Sequence, residues 1–339
     1  LMAESRPPSA DRGVVLRAQG GVYWVQTAAG VAEATLRGKL KREESRPAER
    51  RVRGRRGARQ RGDDRSAEER AELRVVVGDH VTLEREQAGD AQRWTIRALQ
   101  PRRSALVRRA PGKAPRPKPI VANLDQVVVV FAVARPEPHL RMLDRFLVLC
   151  EANALEAVIV ANKTDLVGEE EARARFATYE RIGYRVLLTA AREGRGVEEL
   201  RELLHGRISA LAGPSGVGKS SLLNAVQPGL GLRVASISEA VQKGRHTTVT
   251  AELIPLEGGG FVADTPGLRE VGLWGVEPAE LDTYYREFRP YLGACRYGNS
   301  CTHVHEPGCA VRAAVEAGAV SPERYDSYRR LHAGEREDE

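Results

Sequence analysis

The chain has 339 residues, 42% hydrophobic and 29% charged, a globular composition long enough for two or three domains. No apolar run is long enough to span a bilayer and no signal-peptide pattern opens the chain, so a soluble cytoplasmic protein without membrane contact is expected. The net charge of +7 is unevenly spread: residues 46–61 and 100–119 each carry a net +7, which leaves the remainder at −7. Basic stretches of this kind usually meet phosphate-rich partners, although 46–61, half Arg with interspersed Gly, reads equally well as solvated charge.

Short alternating segments come first. GVVLRA, GVYWVQTA and GVAEATLRG lie between residues 13 and 40, and ELRVVVGDHVTLEREQ and QRWTIRALQ come after them. These read as about five strands in under 100 residues. They predict a small closed barrel of the oligonucleotide-binding (OB-like) type over 1–110, with an Arg-rich loop inserted at 42–72. From about 120 the rhythm changes. DQVVVVFAVA is a continuous apolar run of the buried-strand type. A helical pattern follows over 139–153, then strand EAVIVAN, a helix over 169–182, strand YRVLLTA, helix GVEELRELLH, strand RISALAG and a helix from about Lys219. Strands alternating with helices predict a parallel sheet covered on both faces, an α/β domain over 111–275. The last segment, 276–339, reads as mostly helical around a cluster of Cys and His.

The helix from Lys219 is preceded by GPSGVGKSS, residues 213–221, which fits G-x-x-x-x-G-K-[ST]. Glycines let backbone N–H groups converge on phosphate oxygens, and the helix N-terminus favours the anion. Gly213, Pro214, Ser215, Gly216, Val217 and Gly218 would form the cradle. Lys219 would reach the outer phosphates, and Ser220, followed by Ser221, would ligate magnesium. NKTD, residues 162–165, ends an earlier strand. An Asp carboxylate edge-on to guanine accepts two hydrogen bonds that adenine does not offer, and such a site rejects the wrong base by roughly 10⁴-fold. Asp165 would therefore set base choice. Asn162 would tie loops together, the stem of Lys163 would cover the base, and Thr164 completes the turn. TAA, 189–191, would back the base. DTPG at 264–267 follows strand GFVA. Asp264 would hold the magnesium shell and the Gly267 N–H would face the γ-phosphate. In KGRHTTVT, between the phosphate loop and DTPG, Thr248 is preferred over Thr247 as a further magnesium ligand.

These motifs run in the order base reader, base support, phosphate loop, switch Thr, DTPG. That order is a circular permutation of a GTPase domain. Each motif sits at a strand end, where open α/β sheets bind ligands. The residue after Gly267 is Leu268, which cannot orient water as a Gln does in Ras-like enzymes. His246 on the switch loop is the nearest substitute, with an exposed loop histidine as the alternative reading. Gly216 stands where some GTPases place a potassium-binding Asn, so that position predicts no potassium requirement.

Near the C-terminus, CRYGNSCTHVHEPGC places Cys295, Cys301, His303 and Cys309 with the spacing C-x5-C-x-H-x5-C. Three thiolates and one imidazole complete a tetrahedral shell of the structural zinc type, worth ~10–16 kcal/mol in small peptides. His305 competes with His303 for the fourth place on spacing alone. Cys150, in an apolar helical run, reads as a small core residue.

In combination, the barrel, NKTD, GPSGVGKSS, GRHTT and DTPG, the apolar residue after DTPG, the text ANLDQ before the first strand of the α/β domain, and the Cys-Cys-His-Cys cluster resemble the family of ribosome small-subunit-dependent GTPases, RsgA, also called YjeQ. The resemblance covers nearly the whole chain. It implies a protein that binds the small ribosomal subunit and its rRNA late in assembly, hydrolyses GTP to GDP when the subunit stimulates it, and leaves. It also implies that His303 rather than His305 completes the ligands of one zinc ion; magnesium with GTP and a monomer are expected beside it. The permutation leads DTPG directly into the zinc region, a short covalent route by which nucleotide state would reach an RNA-contacting domain. A reading from another class, an RNA-binding assembly chaperone whose nucleotide site only senses state, also fits the barrel, the Arg-rich loop and the missing Gln. Subunit-stimulated turnover separates the two.

Overall fold

The computed structural model describes residues 11–38, 74–88, 91–109, 117–230, 251–264 and 276–335. The chain divides into two compact units, one of Leu1–Leu124, Thr248–Pro255 and Phe261–Thr265, the other of Asp125–Thr247, Leu256–Gly260 and Pro266–Glu339. The Arg-rich stretch 46–61 lies outside the described residues.

In the first unit, strands β1 (Asp11–Gln19), β2 (Val22–Thr27), β3 (Gly30–Leu36), β4 (His80–Ala88) and β5 (Ala91–Leu99) run in the order β1-β2-β3-β5-β4. β4 pairs back onto β1 and closes the circuit, and β3 and β5 are parallel. This is the expected five-stranded barrel. Alternation along β2 turns Tyr23 and Val25 inward to meet Val15, Ala34, Val81, Leu83 and Ile96. Before β4, the fully buried carboxylate of Asp79 accepts from the Val76 N–H at 2.7 Å and from Arg102 at 2.7 and 2.9 Å. That pairing pins the segment after β5 to the entry of β4.

The basic stretch 100–119 contains structure that the sequence pattern does not predict. β6 (Ala105–Arg109) and β7 (Pro117–Ala122) form a two-stranded antiparallel sheet. Both are edge strands, where prolines that would disrupt a central strand are tolerated. Strand β12 (Glu252–Pro255) is equally silent in the sequence, since four residues show no period. It pairs with β13 (Phe261–Asp264) and, at Glu252, with Arg17 of β1.

In the second unit, β8 (Gln126–Ala132), β9 (Glu156–Asn162), β10 (Arg185–Thr189) and β11 (Ile208–Ala212) form a parallel sheet in the order β10-β9-β8-β11. β8 is buried along its whole length, as its apolar run predicts. Helices α1 (Leu140–Ala152), α2 (Glu169–Arg181), α3 (Val197–Leu204) and α4 (Lys219–Val226) come after β8, β9, β10 and β11 in turn. From β8 the chain builds outward through β9 and β10, then returns to the other side of β8 with β11. The order reverses there, which makes the C-terminal ends of β8 and β11 the expected ligand crevice. Cys150 on α1 is a buried core residue, and burial pushes its thiol up to about 12.

The C-terminal region is helical in short pieces. Short 3₁₀ segments span Pro278–Tyr284, Arg286–Tyr291 and Gly298–Ser300, and α5 (Ala310–Glu316) and α6 (Pro322–His332) are the α-helices. Pro290 lies inside the second segment and removes a backbone donor. Tyr285, Phe288 and Tyr328 form the aromatic centre of this region, with ring centroids 4.9 to 5.3 Å apart.

A buried polar network joins this region to α1 and α2. Arg324 of α6 donates to Asp144 of α1 at 2.6 Å and to Glu287 at 2.7 and 3.2 Å. The Tyr179 hydroxyl of α2 donates to Asp144 at 2.8 Å, and the guanidinium lies 4.5 Å over the Tyr285 ring. Burial raises the Asp144 pKa, and Arg324 opposes the rise. Nearby, Glu151 of α1 accepts from Arg286 at 2.6 Å and Arg289 at 2.7 Å. Removing one member of a buried ion pair leaves an uncompensated charge and costs ~3–5 kcal/mol. Arg324→Ala is therefore expected to destabilise the chain by about that amount, read as a lowered denaturation midpoint, and Arg324→Lys will not fully restore it because a single ammonium nitrogen lacks the planar fork that bonds Glu287 bidentately while reaching Asp144.

Candidate functional site

Four loops leave the C-terminal ends of the parallel strands, and three of them meet at one side chain. Asn162 ends β9 and is 1% exposed. Its Nδ2 donates to the Val217 carbonyl at 2.9 Å. Its Oδ1 accepts from the Thr189 hydroxyl at 3.0 Å and from the Ala191 N–H at 3.4 Å. The loops that carry NKTD, TAA and GPSGVGKSS are thus tied together by one side chain. Thr164, fully buried, donates to the Thr189 carbonyl at 3.2 Å and adds a second tie. Asp165 is exposed, leaving its carboxylate accessible.

Lys163 takes a left-handed backbone at φ +65°. Its ammonium donates to the Gly216 carbonyl at 2.6 Å and to the Arg135 carbonyl. It bridges the phosphate loop to the segment 133–139 that leaves β8, a connection absent from the motif reading. Burial lowers the Lys163 pKa, as does Arg192, while Asp165 opposes them.

The phosphate loop joins β11 to α4. Gly213, Gly216 and Gly218 sit at φ +127°, +77° and +99°, a conformation that favours glycine. A Cβ on Gly213 would lie 2.1 Å from the Val130 carbonyl oxygen of β8, and one on Gly218 would lie 2.4 Å from Asn162 Nδ2. The glycines at 213 and 218 are thus required both by torsion and by their neighbours. Val217 is buried, Pro214 is half-buried, and Ser215 and Gly216 are exposed. Lys219 Nζ donates to the carbonyls of Gly213 and Pro214 at 2.7 and 2.6 Å, so its charge spans its own loop. Ser220 is buried and Ser221 half-buried in the first turn of α4. Exposed loop amides, a helix N-terminus and a lysine across the loop suit a phosphate chain.

Asp264 ends β13, opposite Glu252 in register; its side chain lies outside the described residues. His246, Thr247, Thr248, Gly267 and Leu268 also lie outside them.

The second cluster brings together Cys295, Cys301, His303 and Cys309, all buried, with donor atoms within 4.8 Å of one another. Sγ of Cys295 and Cys309 are 3.9 Å apart, and His303 Nδ1 lies 3.4 and 3.3 Å from them. A tetrahedral zinc with Zn–S of ~2.3 Å and Zn–N of ~2.0 Å places neighbouring sulfurs about 3.8 Å apart and sulfur from nitrogen about 3.5 Å. The donor set therefore fits zinc. His305 is exposed and outside the cluster. Backbone N–H groups of Ala310 and Arg312 donate to Sγ of Cys295 and Cys309, at 3.3 and 3.5 Å, which favours thiolates. Glu306 closes the loop by accepting from Thr302 N–H at 2.9 Å and Val304 N–H at 3.1 Å. These hydrogen bonds hold its carboxyl well below the usual range against the opposing effect of burial.

Among the described residues, no helix is long and apolar enough to cross a membrane. The profile of the RsgA GTPase family matches residues 99–274. A Gemmatimonas aurantiaca protein named small ribosomal subunit biogenesis GTPase RsgA is 52% identical over 320 residues, covering 94% of this chain and 95% of its own. A Moorella thermoacetica protein of the same name is 42% identical over 316 residues, covering 93% and 94%. The crystal structure of YjeQ from Thermotoga maritima superposes with a TM-score of 0.72 at 34% identity, over 96% of this chain and 98% of that one. The structure of YloQ, described as a circularly permuted GTPase, superposes with a TM-score of 0.67 at 27% identity, over 98% and 97%.

The Gly218 contact gives a direct test of the loop geometry. Gly218→Ala forces a Cβ onto the Asn162 amide at an unfavourable φ, so guanine nucleotide affinity is expected to fall by at least ~100-fold, measured with a fluorescent GDP analogue. Gly206→Ala, a left-handed glycine with nothing within 4 Å of its Cβ, is expected to leave it unchanged.

Proposed function

The chain belongs to the RsgA GTPase family, and on that premise we propose that it binds the small ribosomal subunit late in assembly, hydrolyses GTP when the subunit stimulates it, and departs with GDP. The observation that carries the nucleotide part is the junction at Asn162, which holds a base-reading loop and a phosphate loop together at the crevice of a parallel sheet. Asp165 accepts the guanine ring N–H and amino group. Backbone N–H groups of Gly213 and of 215–218 cradle the phosphates, with Pro214 shaping the loop, and Lys219 leaves its loop carbonyls for the outer phosphate oxygens. Ser220, Thr248 and Asp264 would hold magnesium, which would neutralise charge on the phosphates. Gly267 N–H faces the γ-phosphate. With Leu268 after it, water is positioned by His246 only when the subunit orders the switch loop. Cys295, Cys301, His303 and Cys309 hold one structural zinc ion. The protein acts as a monomer in the cytoplasm, and its basic segments meet rRNA phosphates.

GTP turnover measured alone, with purified small subunits and with large subunits tests this reading. Turnover alone is expected to be slow, on the order of 10⁻⁴ s⁻¹, with large stimulation by small subunits only. Bound GTP without stimulation by either subunit would replace the enzyme reading with that of a nucleotide-sensing RNA chaperone.

A further inference from the structure

The imidazole of His303 is held from both sides. Nδ1 faces the Sγ atoms of Cys295 and Cys309, while Nε2 lies 3.2 Å from Oδ2 of Asp282. The backbone of His303 is fixed separately. It is left-handed at φ +60°, and its carbonyl accepts from the Tyr325 hydroxyl at 2.7 Å. Asp282 comes from a distant point in the sequence, on the 3₁₀ segment Pro278–Tyr284, whose Leu281 is buried in the core of this region.

The cost of placing a carboxylate there is visible. Oδ1 of Asp282 is buried with no hydrogen-bond partner. An unpaired buried polar atom of this kind costs ~1–3 kcal/mol. Packing alone would favour an apolar side chain, so the position calls for a role that needs the acid. An imidazole that gives one nitrogen to a metal must keep its proton on the other, and a carboxylate hydrogen-bonded there selects that tautomer, fixes the ring plane and raises the basicity of the ligand nitrogen.

We propose that Asp282 is a positioning residue of the metal centre: it accepts the Nε2–H of His303 and so presents the Nδ1 lone pair to zinc. The inference rests on the zinc reading of Cys295, Cys301, His303 and Cys309. It explains why His303 and not the exposed His305 completes the set, since among the described residues Asp282 is the carboxylate that meets a ring nitrogen of the cluster. The spacing C-x5-C-x-H-x5-C contains no trace of it, because Asp282 lies 21 residues before His303.

The test uses the zinc-loaded full-length chain equilibrated against a chromogenic chelator, with GDP affinity measured in parallel at saturating zinc. Asp282→Ala is expected to weaken zinc binding 10–100-fold while GDP affinity is unchanged. Asp282→Asn keeps an oxygen that accepts from Nε2–H but loses the charge, and is expected to weaken zinc less than Ala does. If Asp282→Ala does not fold, Asp282→Asn alone carries the test. Zinc affinity within twofold of the unaltered chain in both variants would overturn the proposal, as would a lowered melting temperature with unchanged zinc affinity, the signature of a packing role. An unaltered chain that holds no stoichiometric zinc would overturn both this inference and the zinc reading beneath it.

Discussion

Three loops that carry the nucleotide motifs meet at the amide of Asn162, and their arrangement depends on that meeting. The side chain is almost wholly buried, donates once and accepts twice, and its bonds reach two other loops from the end of its own strand. Inside a protein an unmade bond of this kind costs more than a made one gains, so the three loops are held as a set. The glycine at 218 is required by the same amide, because any Cβ there would occupy the space Nδ2 takes. Lys163 extends the set to a fourth loop by bridging the carbonyls of Gly216 and Arg135.

Because the site is a property of strand ends, the order in which the chain visits them is free. The chain enters at β8, builds β9 and β10 outward, and returns to place β11 and its phosphate loop on the other side. The base reader therefore precedes the phosphate loop in sequence while standing beside it in space. Permutation also puts the zinc-binding region directly after the last nucleotide motif. That region shares a compact unit with the parallel sheet. It is docked on α1 and α2 through Arg324, Asp144, Glu287 and Tyr179, with Glu151 and two further arginines beside them. Removing either partner of a buried ionic junction leaves an uncompensated charge. Movement of the zinc region against α1 and α2 would have to break the junction.

Much of this was legible in the sequence, for identifiable reasons. Strands β8 and β9 announce themselves as apolar runs because both faces are buried, and the barrel strands as alternation because one face is wet. The motifs NKTD and GPSGVGKSS depend on backbone torsions that only particular residues tolerate, so their spacing survives in the letters. The cysteine and histidine spacing survives likewise. The illegible parts depend on partners distant in sequence. Arg324 sits in PERYDSYRR, and it is buried against residues 37 and 180 positions away, partners no local pattern contains. The β6–β7 pair is hidden by its prolines and charges, and β12 by its brevity.

The Cys/His cluster and the nucleotide-motif loops differ in their fastening: a donor set that fits a metal in one case, a buried side chain in the other. The central claim concerns the second, that the permuted loops form a single site through Asn162. The most direct measurement is the dissociation constant of GDP for Asn162→Ala, with circular dichroism and the melting temperature recorded on the same sample. The expected result is a loss of at least ~100-fold, from ~1–3 kcal/mol for each orphaned group, with the fold retained. Affinity within a few-fold of the unaltered chain, with the fold retained, would contradict it.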